Sequence, residues 1–145
     1  MFHLEMTHPP FVTLCLDVSA VSGEPLDRVG EQIRGLMIPE RITVGEMGRS
    51  IAALTQRRGS DENARAAHER ACVDETTGHV QDIVDEVALE MNKPRVRVRD
   101  DTELGAHVKG SVMASGDGPL AVAWRRYVDT CMSSMGGAGL FGGVE

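Results

Sequence analysis

The sequence predicts a small α+β domain: a sheet of about three strands covered by helices, with one long amphipathic helix at about 61–91. Three observations predict this class. Hydrophobic residues make up 41% of 145 positions but aromatics only 3%, so one compact core must be built from Val, Leu, Ile, Ala and Met. Apolar residues recur at helical spacing in several separate segments. Between those segments stand short runs rich in β-branched residues, one of them alternating strictly. Residues 1–135 are expected to form a single domain and residues 136–145 a Gly-rich C-terminal arm.

Pro9-Pro10 ends a short leader, and Phe11 to Val18 reads as a buried strand because it is almost continuously apolar. Leu26 to Met37 reads as a helix, opened by Pro25 and closed by Pro39, with Leu26, Val29, Ile33, Leu36 and Met37 on one side. Thr43 is placed to cap a helix over about Val44 to Gln56, with Glu46 completing a capping box. Gly45 and Gly48 weaken its first turns. Ser60 or Asp61 caps the longest helical pattern, Glu62 to about Met91. Its buried stripe is expected at Val80, Ile83, Val84, Val87 and Met91, with Thr76-Thr77-Gly78 a point of bending or division.

Arg95-Val-Arg-Val-Arg99 alternates, which predicts a strand with Val96 and Val98 inward and the arginines outward. Ala106 to Ala114 is a second, weaker strand. Ser115 to Pro119 is a turn by composition. Leu120 to Met132 reads as a helix with Val122, Trp124, Val128 and Cys131 as its apolar markers. The glycines from Gly136 to Gly143 make a helix costly there.

The bulk numbers exclude some functions. The net charge is -7, which repels a polyanion unless a local basic patch overrides it. A single Trp and a single Tyr cannot make a base-stacking platform. Cys15, Cys72 and Cys131 are odd in number and lack any CxxC pair, so neither a zinc ribbon nor a thioredoxin-type site is signalled. No basic, apolar leader of the export type opens the sequence and no apolar run reaches membrane-span length. Reduced thiols and a missing leader give a cytoplasmic expectation. No cofactor is called for. Gly137-Ala-Gly139-Leu-Phe-Gly142 matches GxGxxG but follows a helix instead of opening one, so it is no dinucleotide loop.

Three groups of residues could carry function. His68, Cys72, Glu75 and His79 stand at i, i+4, i+7 and i+11, so an unbroken helix presents all four on one face, as a transition-metal or acid/base site would need. Cys72 as a small packing residue competes with that reading. The second group is electrostatic. Residues 61–92 carry nine carboxylates against Arg65 and Arg70, a net -7 that equals the charge of the whole chain. Arg95, Arg97 and Arg99 follow at once, and three aligned guanidinium groups repel each other unless an anion lies across them. The third group is the arm, where Leu140 and Phe141 are apolar residues on a glycine tether. A helix-turn-helix within Arg41 to Arg58, using Arg49, Arg57 and Arg58 on phosphates, lacks room for a recognition helix.

Together these features give the expectation of a non-enzymatic subunit of a homo-oligomeric assembly, with a viral particle component such as a phage head or tail protein as its example. Its contacts would be the Arg95/Arg97/Arg99 ladder and the Leu140/Phe141 arm, and its location the cytoplasm or a virion. The competing expectations are a small metal-binding enzyme built on His68, Cys72, Glu75 and His79, and a nucleic-acid-binding regulator, the less favoured of the two on charge.

Overall fold

The structure, a computed structural model, describes residues 8–138, with side chains through Ser133. Six helices and one two-stranded sheet are present among the described residues: α1 Pro9–Ser22, α2 Leu26–Met37, β1 Ile42–Thr43, α3 Val44–Thr55, α4 Glu62–Glu90, β2 Glu103–Leu104, α5 Ala106–Met113 and α6 Pro119–Ala138. The α+β class therefore holds in its coarse form, mostly helical with a minimal sheet of two strands instead of three.

Phe11 to Val18 is helical, not extended. The apolar run hides a helical period, because its buried members are Phe11, Leu14, Cys15, Val18 and then Ser22. Pro9 and Pro10 occupy the first helical positions, where no amide hydrogen is needed. Gly23, at φ 78°, ends α1 in the left-handed conformation, and its N–H donates to Ser19 O. Helix α2 has the expected bounds and buries Val29, Ile33 and Leu36.

The capping box forms as the sequence predicts. Thr43 Oγ1 accepts from Glu46 N at 3.1 Å, and Thr43 N donates to Glu46 Oε1 at 3.0 Å. The bond from Thr43 N, with a second from Thr43 Oγ1 to Glu46 Oε1 at 2.9 Å, holds the Glu46 carboxyl below its ordinary pKa. Just before the cap, β1 pairs antiparallel with β2, Ile42 opposite Leu104 and Thr43 opposite Glu103. Gly48 allows α3 to approach α4 closely: a Cβ there would lie 2.7 Å from Val73 Cα. Its cost to helix propensity is thus traded for interhelical contact.

Asp61 caps α4 by accepting from Ala64 N at 2.8 Å. The helix runs 29 residues without a break at Thr76–Gly78, about 43 Å at 1.5 Å per residue. Only Thr76, Val80 and Ala88 are fully buried along it. The expected buried stripe holds at Val80, is half-buried at Ile83 and Val84, and fails at Val87 and Met91, which are exposed. Core packing thins toward its C-terminal end, where Ala88 is the last buried position.

Ala106–Met113 is α5 and not a strand. Lys109, Val112 and Met113 are its buried residues, at helical spacing. The Lys109 ammonium donates to Pro39 O just beyond the C-terminus of α2, where the helix dipole favours a cation. In α6 the buried side is Leu120, Ala121 and Ala123, while Val122 and Val128 are exposed. Trp124 and Tyr127 pack partly buried against the core, Tyr127 edge-on to Phe11 at 6.4 Å between ring centroids. Helix α6 continues through Gly136 and Gly137 to Ala138, despite the cost of glycines in a helix. Leu140 and Phe141 lie outside the described residues. Among the described residues, no helix is long and apolar enough to cross a membrane.

Candidate functional site

The close approach at Gly48 sets the neighbourhood of the histidine and cysteine face. Thr55, in the last turn of α3, donates from Oγ1 to Ile51 O at 2.8 Å. His68 Nε2 lies 2.7 Å from Thr55 Oγ1, a hydrogen bond whose donor is set by the imidazole tautomer. Cys72 Sγ lies 3.6 Å from the same Nε2 and 4.0 Å from Nδ1. This cluster opens onto a cavity of about 570 Å³, with Ile51, Val112 and Leu120 among its apolar walls and Glu75 on its lining.

The arrangement does not activate the thiol. Burial pushes the Cys72 pKa up and Glu75 adds to the rise, while the Thr55 hydrogen bond only partly opposes it. His79 makes a separate contact, Nε2 to Ser111 Oγ at 3.3 Å, on α5. The four side chains share a helix face but not a place, because eleven residues of helix span about 16 Å. Among the described residues, no three His, Cys, Asp or Glu side chains converge as a metal ion requires.

The distal half of α4 forms the second feature. Asn92, at φ 55°, turns the chain back, and Lys93 N donates to Ala88 O at 2.9 Å. The returning segment is neither helix nor strand. A single side chain, Gln81, takes the place of a partner strand: its Nε2 donates to Val96 O at 2.9 Å and its Oε1 accepts from Val98 N at 2.8 Å. The second Gln81 proton goes to Asp85 Oδ1 at 2.9 Å. The strand expected over Arg95–Arg99 does not form, and the segment is instead held beside α4 by this one side chain. Val98 is buried as expected, whereas Val96 is 63% exposed. Leu89 is 82% and Met91 56% exposed close by in sequence, with Val87 also open.

Arg95, Arg97 and Arg99 are all exposed. The ion pairs among the described residues are Arg28–Glu24, Arg41–Glu103 and Arg126–Asp17, so the ladder has no counter-charge within them. No family model, curated protein or solved structure matches this chain. The remaining arginines do not gather into one basic face. Arg49 borders a groove with Gln32 and Arg41, Arg57 lines the His68 cavity, and Arg95 and Arg97 border a third depression beside Gln81.

Sequence reasoning reaches His68 with Cys72 through their i, i+4 spacing, and it reaches the ladder through alternation. It misses Thr55 and Gln81, whose partners lie 13 and 15–17 residues away. The pair Gly45 and Gly48, three apart on one helix face, was the available sign of a close helix contact.

Proposed function

We propose that this chain is a non-enzymatic subunit of a homo-oligomeric assembly and that the distal half of α4, with the segment from Lys93 to Val98, is its contact surface. One observation carries the reading: Val87, Leu89, Met91 and Val96 are all exposed along the distal part of α4 and the segment that returns beside it, on more than one side of the helix. Burying a side chain of this size contributes about 1.5–3 kcal/mol. A Cys72 thiol pushed up by burial and a His68 bonded to Thr55 fit a packing role better than a catalytic one. The uncompensated arginines and the acidic helix add electrostatic register to the contact. A phage head or tail subunit is one assembly of this kind.

The test is light scattering on the intact chain and on a Leu89→Ser/Met91→Ser variant. Both positions are exposed, so the fold is retained and circular dichroism is unchanged. The intact chain is expected to exceed the mass of one copy and the variant to fall toward it. An equal mass for the two proteins removes this surface from the account.

A further inference from the structure

Two surfaces of α4 carry opposite charge on different sides of the helix. At about 100° per residue, Glu75, Asp82, Glu86 and Glu90 fall within an arc of about 80°. Gln81, which holds the arginine segment, is about 140° away from the middle of that arc on the same reckoning. All four carboxylates are exposed, and none joins the ion pairs found among the described residues. The exposed apolar residues divide in the same way. Val87 and Met91 lie on the side of the buried Val80, and Leu89 lies about 180° from it.

This division constrains how two copies can meet. A two-fold axis across the helices would lay each flank on its like, arginine on arginine and carboxylate on carboxylate, which is repulsive. An axis along the helices would match opposite charges. It would also bring both bodies to the same end on the core-facing side, where each already fills the space. Edge-to-edge pairing of two Arg95–Arg99 segments again opposes like charges. A head-to-tail contact avoids all three conflicts and uses two different faces, which is how the charged and the apolar residues are distributed.

Resting on the self-association proposed above, we infer that the contact is heterologous: Arg95, Arg97 and Arg99 of one copy lie on the Glu75/Asp82/Glu86/Glu90 stripe of the next. Such a contact closes into a ring or continues as a filament according to the rotation it imposes.

Two neutralised variants test it, Arg95→Gln/Arg97→Gln/Arg99→Gln and Glu75→Gln/Asp82→Asn/Glu86→Gln/Glu90→Gln. Each keeps one intact face. Native mass spectrometry is expected to find each variant alone as single chains. Their equimolar mixture is expected to give a species of two chains and nothing larger, since only one productive contact is possible. If either set loses its helical circular dichroism, Arg97→Gln and Glu86→Gln replace it in the same mixing experiment. If the unaltered chain assembles but the mixture stays monomeric, or grows beyond two chains, or either variant alone keeps the parent mass, the head-to-tail arrangement is wrong while self-association stands. If the unaltered chain is itself a single copy, the failure belongs to the assembly reading.

Discussion

Replacing Gly48 with Ala isolates the energetics of the α3–α4 contact. Gly to Ala in a helix interior normally stabilises by about 0.8–1 kcal/mol. At Gly48 the new Cβ would stand 2.7 Å from Val73 Cα, 2.9 Å from Val73 Cγ2 and 3.2 Å from Val73 N. Two of those three atoms are backbone, so relief requires α3 and α4 to separate by about 1 Å, and overpacking of this kind costs about 1–3 kcal/mol. The net expectation is a loss of about 1 kcal/mol, or roughly 4 °C in Tm for a chain of this size. Gly78 is the internal control: it is also mid-helix, and a Cβ there meets nothing within 4 Å. Gly78→Ala should therefore gain about 0.8–1 kcal/mol. Thermal melts of the two variants beside the parent decide the matter. If Gly48→Ala stabilises as much as Gly78→Ala, the close-contact account is wrong. The same separation would lengthen the Thr55–His68 bond, so His68 resonances should shift in Gly48→Ala and stay in place in Gly78→Ala.

Further outcomes follow from other sites. Thr43→Ala removes the acceptor of the capping box and should cost about 1 kcal/mol in denaturant unfolding; an unchanged midpoint would refute the cap's contribution. Lys109→Ala removes a charged hydrogen bond to Pro39 O and should lower stability by about 2 kcal/mol; an unchanged stability would show that bond to be of no consequence. Burial pushes the Cys15 thiol from 9.0 to about 11, so the folded chain keeps a proton that the unfolded chain releases. That contribution is whole below pH 9 and is lost as pH rises toward 11; Cys15→Ala should flatten the fall, and an identical pH profile would contradict it. Thr55→Val removes the group that lowers the Cys72 pKa, so alkylation of Cys72 at pH 8 should slow, and a faster reaction would refute the assignment.

The elements legible in the sequence are those whose ends carry local chemistry. Helix α2 lies between Pro25 and Pro39, α3 opens on the Thr43/Glu46 box, and α4 opens on Asp61, all of which need no distant partner. The Phe11–Val18 and Ala106–Ala114 segments mislead because their buried faces are not marked by hydrophobicity: Leu16 is apolar yet exposed on the first, and Lys109 is charged yet buried on the second, which obscures the period that separates helix from strand. Arg95–Arg99 alternates, but a strand exists only with a partner, and here a glutamine amide fills that position. The candidate surfaces divide in the same way. The arginine ladder and acidic helix are written in composition, and His68 with Cys72 in spacing. The Thr55–His68 bond, the separation of His79 and the exposure of Val87 and Met91 arise from where α3 and α5 meet α4.

The claim that most depends on these observations is that the far end of α4 is covered by another copy of the chain. Native mass spectrometry of the unaltered protein across a dilution series tests it most directly. The account predicts a defined multiple of the 15.7 kDa chain that dissociates on dilution or at high salt. A single 15.7 kDa species at every concentration would contradict it.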